Sequence, residues 1–244
     1  MENIIFGLHP LSEALEDGRK PEKVFIQKGL TGNSFQKLFQ KIRAENIPFQ
    51  MVPVERLNRI TRKNHQGVIA QLALIEYHKL EDVLPPVYEN GEVPLLVILD
   101  RITDVRNFGA IARSAEVAGA HALIIPEKET APVNADAIKT SSGALSRIPV
   151  CREKDLLETI AFLNHSGIKV IACTEKSRNV LYDIKLDVPL AVVMGSEEKG
   201  ISKSTLTAVD LTVAIPQKGK IGSLNVSVAT GIVLFEALRQ RKGF

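Results

Sequence analysis

Tryptophan is absent from this sequence, and aromatic residues of all kinds make up only 5% of it. A broad aromatic platform as the main recognition device is therefore not expected. Cysteine is nearly absent too. Cys151 and Cys173 lie 22 residues apart in apolar surroundings, with no C-x-x-C and no ligand spacing to His9, His65, His78, His121 or His165. That excludes a disulfide scaffold and a structural zinc site, and both thiols are expected to be buried and reduced, with no metal cofactor. No two glycines are separated by a single residue, so neither the G-x-G-x-x-G dinucleotide fingerprint nor the usual glycine-rich loop of doubly wound methyltransferases can be drawn. H-E-x-x-H and G-x-S-x-G are missing, which argues against a zinc protease and a serine hydrolase. No apolar run approaches the roughly 18 residues of a membrane span, and the first residues lack the basic and apolar regions of a signal peptide. A cytoplasmic protein without a membrane partner is expected.

What is present suits a globular chain of one large or two modest domains: 244 residues, 45% apolar, with a net charge of +3. Residues 1–92 carry 12 basic and 12 acidic side chains, and residues 93–244 carry 19 and 16, so the positive excess lies in the second part. Between the parts, "EDVLPPVYENGEVP" (Glu81–Pro94) combines Pro-Pro, Asn-Gly and acidic residues, and reads as a linker. Before it, apolar runs such as "KVFIQ", "FQMVP" and "GVIAQLALI" alternate with helix-like segments, which predicts a small α/β domain. After it, "PLLVILD", "HALIIPE", "IKVIACTE", "LAVVMG" and "LTVAIPQ" are strands suited to burial on both faces of a mainly parallel sheet. Ligands of such sheets sit outside the carboxyl ends of the strands.

Three loops should meet there. In "RITDVRNFGAIARSAEVAGAH", Asn107 is placed to cap a helix from about Phe108 to Gly119. Gly109, Ala110 and Ala112 keep its first turns slim, and Arg113 shares a face with Gly109. "LAVVMGSEEKGIS" stops one residue short of a phosphate-cradling G-x-x-x-x-G-K-[ST] loop: Ile201 stands where the lysine is needed, with Glu197 and Glu198 inside. A triphosphate is not expected there. "IPQKGKIGSLNVSVATG" offers a basic loop with Lys218 and Lys220, Ser223 as a natural helix cap, and Asn225 as an amide needing partners in an apolar first turn.

In this order, "NFGAIARSAEVAGA", "VVMGSEEKGIS" and "IPQKGKIGSLNVSVATGIVLFEALRQ" resemble the three motifs of the SpoU/TrmH family of RNA ribose 2'-O-methyltransferases. "FGLHPLSEAL" and "RKNHQGVIAQLA" are similar to the family's small α/β RNA-binding domain, itself related to a ribosomal protein. The likeness covers nearly the whole chain and is greatest to members that methylate a guanosine in large-subunit (23S) ribosomal RNA. Transfer-RNA and antibiotic-resistance members share the motifs. The resemblance implies an RNA-substrate-binding domain at 1–78, a linker at 79–93, and at 94–244 an α/β methyltransferase domain with a deep trefoil knot. It also implies a homodimer whose sites draw on both subunits. It places S-adenosylmethionine against Gly195, Ile215 and Leu224, and assigns the polar catalytic site to Asn107, Arg113, Glu197, Ser223 and Asn225.

For methyl transfer to a ribose hydroxyl, alignment supplies much of the acceleration, and the hydroxyl must lose a proton. The family's chemistry gives this to Arg113. A guanidinium holds its proton too tightly to be a good base, so phosphate clamping and alkoxide stabilisation are the better roles, with Asn107 and Glu197 orienting it. Arg56, Arg59 and Lys63, at offsets 0, 3 and 7, form a basic helical face that, with Lys218 and Lys220, is a candidate phosphate contact. The target sugar is expected in a loop or hairpin of ribosomal RNA or a precursor particle. A non-catalytic RNA-binding relative would have no need of the polar site, and a nucleotide hydrolase would need the absent lysine.

Overall fold

The structure, a computed structural model, describes residues 4–19, 21–72 and 74–242. The chain divides into two compact units, Met1–Leu74 and Ile75–Phe244.

In the first unit the order is β1 (Ile4–Phe6), α1 (Leu8–Glu16), β2 (Pro21–Gln27), α2 (Asn33–Ala44), β3 (Phe49–Val52), α3 (Val54–Ile60) and β4 (Val68–Leu72). Among the described residues these strands form one sheet, ordered β1-β4-β2-β3, with only the β2–β3 pair parallel. The period-two alternation of the strands sets its faces. Val24 and Ile26 of β2, with Val68 and Ala70 of β4, pack on Leu11 and Leu15 of α1 and Leu38 and Ile42 of α2. The intervening Phe25 and Ile69 turn to the other face, where α3 contributes Leu57 and Ile60. His65 has a structural role: its Nδ1 accepts the Gly67 N–H at 3.0 Å and its Nε2 meets Asn58 Oδ1 at 2.9 Å.

One expectation fails here. α3 ends at Ile60 because Thr61 is extended (φ −148°), so Arg56 and Arg59 share the helix while Lys63 lies beyond it. The offset-seven pattern is not a single helical face.

The second unit runs β5 (Tyr77–His78), α4 (Leu80–Glu89), β6 (Leu95–Asp100), α5 (Val105–Val117), β7 (Ala122–Pro126), α6 (Ala135–Thr140), β8 (Val150–Glu153), α7 (Leu156–His165), β9 (Lys169–Cys173), β10 (Leu190–Gly195), α8 (Lys203–Ala208), β11 (Leu211–Val213) and α9 (Val226–Lys242). Its sheet is ordered β11-β9-β10-β6-β7-β8-β5, and every neighbouring pair is parallel. All six residues of β6 are buried, since both faces are covered. Leu95, Val97 and Leu99 pack with Phe108 and Ile111 of α5, Ala137 of α6 and Val233 of α9. Leu96 and Ile98 pack on the opposite side with Leu80 and Leu84 of α4, Ile160 of α7 and the partly buried Leu206 of α8. The stretch expected as a linker is thus largely α4. Burial of Leu80, Leu84 and Val87, at offsets 0, 4 and 7, outweighs the backbone hydrogen bonds lost at Pro85 and Pro86 inside the helix.

The slim start of α5 has a structural use. A Cβ on Gly109 would lie 2.7 Å from Thr140 Cβ and 2.9 Å from the Ala137 carbonyl oxygen, so α5 and α6 can approach only because this position is glycine. Gly109→Ala is expected to destabilise the protein by about 1–3 kcal/mol, the usual range for overpacking. Denaturant unfolding checks this, and an unchanged midpoint would contradict it. The described helices include none long and apolar enough to cross a membrane.

Candidate active site

Strand order reverses between β6 and β10, which pair in register from Leu190 with Leu95 to Gly195 with Asp100. The loops after these strands therefore leave side by side, at the position where such sheets bind ligands. Two interactions join them: Ser202 N–H donates to Asp100 Oδ2 at 2.7 Å, and the Arg101 guanidinium donates to the Gly200 carbonyl at 3.0 Å.

The loop Gly195–Ser202 closes tightly on itself. Gly200 N–H donates to the Ser196 carbonyl at 2.8 Å. A Cβ on Gly195 would stand 2.3 Å from both Gly200 C and Ile201 N. The two glycines serve this turn, with Gly200 at φ +64°, so the spacing that suggested a phosphate loop has another physical cause.

Beside the loop is a cavity of about 320 Å³. Gly195, Ile215, Leu224 and Ser223 line it, together with Met194 and Ala229, so three of its walls come from β10, the segment after β11, and the approach to α9. Thr174, Glu175, Lys176 and Gln217 also line it and were not singled out from the sequence. The position of Glu175 and Lys176 just beyond an apolar strand was the available signal. Cys173 is only half-buried and lines the same cavity, whereas Cys151 is fully buried. Burial and nearby Glu175 push the Cys173 thiol up to about 11, and burial with Glu153 and Glu81 pushes Cys151 up to about 12. Both are protonated at neutral pH and unsuited to nucleophilic attack.

A second cavity, of about 260 Å³, lies across the loop and is lined by Asn107, Asp104, Arg101, Glu129 and Glu197. Glu197, Ser196 and Val226 line both cavities. Glu197 Oε1 accepts Asn107 Nδ2–H at 2.9 Å, the Asn225 side-chain amide, and Val226 N–H at 3.3 Å. Asn225 Nδ2 also donates to Asn107 Oδ1 at 3.0 Å. One carboxylate thus ties the starts of α5 and α9 to the β10 loop. Its charge also complements the positive end of α9.

Several expectations about these residues need correction. Asp104, not Asn107, caps α5: its side chain accepts Asn107 N–H at 2.8 Å, and the helix begins at Val105. Asn107 lies within the first turn, which frees its amide for Glu197. Ser223 is not the cap of α9. Asn225 takes that role, its Oδ1 accepting the N–H groups of Ser227 at 3.0 Å and Val228 at 3.3 Å. It is exposed rather than buried in the first turn, and its polar partners satisfy the amide.

Arg113 stands apart. It is exposed on α5, lines neither cavity, and forms no hydrogen bond or ion pair among the described residues. Asn107 and Glu197 bind each other, so they do not orient it within this chain. Asn107 and Arg113 are six positions apart, about 120° around the helix, and the two side chains leave in different directions. Lys218 and Lys220 are exposed on the segment before α9, outside both cavities.

Comparison with known proteins identifies the family. Residues 94–235 match the model of the SpoU rRNA methylase family, and residues 4–78 match that of the RNA 2'-O ribose methyltransferase substrate-binding family. The 23S rRNA (guanosine-2'-O-)-methyltransferase of Pectobacterium atrosepticum is 38% identical over 245 residues, covering 100% of both chains. The protein of that name from Escherichia coli is 36% identical, covering 99% of this chain and 100% of its own. Among solved structures, the AdoMet-bound rRNA methyltransferase of Sinorhizobium meliloti superposes with a TM-score of 0.62 at 28% identity, covering 97% of this chain and 86% of that one. The SpoU methyltransferase AviRb of Streptomyces viridochromogenes, in complex with AdoMet, gives 0.64 at 25% identity, covering 99% and 91%.

Proposed function

The chain belongs to the SpoU rRNA methylase family, and from that premise we propose that it transfers a methyl group from S-adenosylmethionine to the ribose 2'-hydroxyl of a guanosine in 23S ribosomal RNA. The observation that carries this reading is the pair of cavities at the β6/β10 reversal, divided by the Gly195–Ser202 loop.

The first cavity fits the cofactor. Glu175, Glu197 and Glu198 outnumber Lys176 and Lys199 in its lining, which opposes a triphosphate, while Ile215 and Leu224 suit a flat purine ring, and the closed Gly195 turn presents main chain instead of a side chain. When bound, S-adenosylmethionine supplies a methyl carbon activated by a positively charged sulfur. Gly195, Ile215 and Leu224 would hold it, with Ser223 beside them.

The chain's own groups divide the remaining work. Glu197 fixes Asn107 and Asn225, and its Oε1 already accepts three N–H groups, so it acts as a positioning residue rather than a base. Arg113 would clamp the phosphate beside the target ribose and stabilise the oxygen as it becomes an alkoxide. The proton leaves to that phosphate or to water.

Because Arg113 lies outside both cavities of its own chain, a homodimer completes the account, with the partner subunit's Arg113 reaching the site. The surface around it supports this. Val117 on α5 is 61% exposed, and Val228 and Phe235, two turns apart on α9, are 51% and 47% exposed, an apolar strip that a second copy would cover. A trefoil knot in the second unit fits the grip on α9. Arg241 donates to the carbonyls of Pro94, Leu186 and Val188, and Gln240 donates to that of Ile184, so earlier loops hold the last helix. The first unit, a ribosomal-protein-like domain, would bind substrate RNA with Arg56, Arg59 and Lys63. Lys218 and Lys220 would meet phosphates near the site.

Labelled methyl transfer tests the substrate assignment. Undermodified 23S rRNA, or a precursor particle containing it, is expected to accept label at least about tenfold faster than transfer RNA, since a mismatched site loses several contacts. A preference for transfer RNA would overturn the assignment while leaving the reaction class intact.

A further inference from the structure

α1 and α2 cover one face of the first unit's sheet, and α3 covers only part of the other. On that second face, Phe6 of β1 pairs across to Ile69 of β4, and Ile69 to Phe25 of β2, so two half-buried phenyl rings lie in one row about 10 Å apart. Lys23 precedes Phe25 by two residues and shares its face, as do Gln71 and Gln50 by register.

Three cations rest on these rings. Lys63 Nζ stands 5.5 Å from the centre of Phe6, Lys23 Nζ 5.5 Å from that of Phe25, and the Arg56 guanidinium 5.4 Å from Phe25. Arg56 and Arg59 also line a shallow cavity beside them. Among the described residues, none of Lys23, Arg56, Arg59 or Lys63 forms an ion pair with a carboxylate. Their charge is thus left for a partner, and the rings beneath them are uncovered when the flexible basic stems swing outward.

We propose that this sheet face binds unpaired nucleotides of the substrate RNA, with bases stacking on Phe6 and Phe25 while Lys23, Arg56 and Lys63 move from the rings to the phosphates. Phosphates match the unpaired cations, and unpaired bases match the aromatic rings; an intact duplex hides its base faces, and an acidic peptide would not use the rings. The inference deepens the RNA-methyltransferase reading and rests on it. It also qualifies the expectation drawn from sparse aromatics, since two phenylalanines, placed in one row by strand register, are enough for a small platform.

The test uses the full chain and fluorescence anisotropy with two probes, an oligouridine of about 10 nucleotides and an RNA duplex of the same length. Phe6→Leu with Phe25→Leu preserves apolar volume and is expected to weaken oligouridine binding about tenfold or more, whereas the Phe→Tyr pair, which keeps the rings, restores it. Lys23→Gln, Arg56→Gln and Lys63→Gln together should reduce the log–log salt slope by about two. Unchanged S-adenosylmethionine affinity verifies that the second unit is intact. Oligouridine binding unaffected by the leucine pair, or tighter binding of the duplex than of the single strand, overturns the proposal. Methyl transfer to ribosomal RNA by a wild-type protein that binds neither probe overturns the surface alone. Wild-type binding of oligouridine without transfer to any RNA sinks the enzymatic reading and leaves the surface standing.

Discussion

Arg113→Ala is expected to lower the rate of methyl transfer by about a hundred- to a thousandfold, the usual cost of removing a charge-stabilising donor from a reacting oxygen. S-adenosylmethionine affinity should stay within about twofold, because Arg113 does not line the cavity that fits the cofactor and holds no side chain of its own subunit in place. Arg113→Lys keeps the charge but not the planar fork, and should fall between wild type and alanine. Single-turnover kinetics alongside equilibrium cofactor binding separates the effects. A variant that retains most of its turnover removes Arg113 from the site.

The same substitution tests the proposed dimer. In a mixture of Arg113→Ala and Gly195→Ala subunits, a mixed dimer pairs an intact loop on one subunit with an intact arginine on the other. With S-adenosylmethionine too dilute to fill the Gly195→Ala site, random exchange of these two impaired variants should restore about one quarter of the wild-type sites if Arg113 acts across a twofold interface, and no sites if it acts within its own chain.

Gly195→Ala carries the second large effect. Its Cβ would lie 2.3 Å from the backbone at Gly200 and Ile201, and 2.6 Å from Ile201 Cγ1. Backbone cannot yield as a flexible side chain does, so the turn must open and the cavity wall must move. Overpacking of this kind costs about 1–3 kcal/mol, and a cofactor that binds only the closed turn should bind about ten- to a hundredfold more weakly. Gly109→Ala is the contrast: it strains the α5–α6 contact and should lower stability with little change in cofactor affinity. Calorimetric titration of both variants checks the pair, and near-normal binding by Gly195→Ala would contradict the role given to the turn.

The parts of this region that are legible in the sequence are those with local determinants. The run "LAVVMG" predicts a strand, here β10, and Ile201 at the lysine position argues against a nucleotide triphosphate. Glu197, which the family resemblance singles out, accepts three hydrogen bonds that depend on distant segments meeting at the β10 loop. What stayed hidden depended on tertiary context. α4 was obscured by its prolines although Leu80, Leu84 and Val87 have helical spacing. β5 has two residues, and β8 alternates into Arg152 and Glu153, so neither gave a long apolar run. At α5, Asp104 and Asn107 are both capping residue types three positions apart, and only the observed hydrogen bond shows which one caps. The direction of Arg113 followed from helix phase once the true start at Val105 was known.

The chemical identity of the product decides whether the methyl group goes to a ribose oxygen. Undermodified 23S ribosomal RNA, incubated with the protein and S-adenosylmethionine labelled in its methyl group, is digested in alkali and the labelled fragments are separated. A methyl group on a ribose 2'-oxygen blocks cleavage at the neighbouring phosphodiester, so the predicted result is a labelled, alkali-resistant dinucleotide whose first residue is guanosine. Label released as an alkali-sensitive mononucleotide with the methyl group on its base would contradict ribose transfer, and with it the roles given to Arg113 and the two cavities.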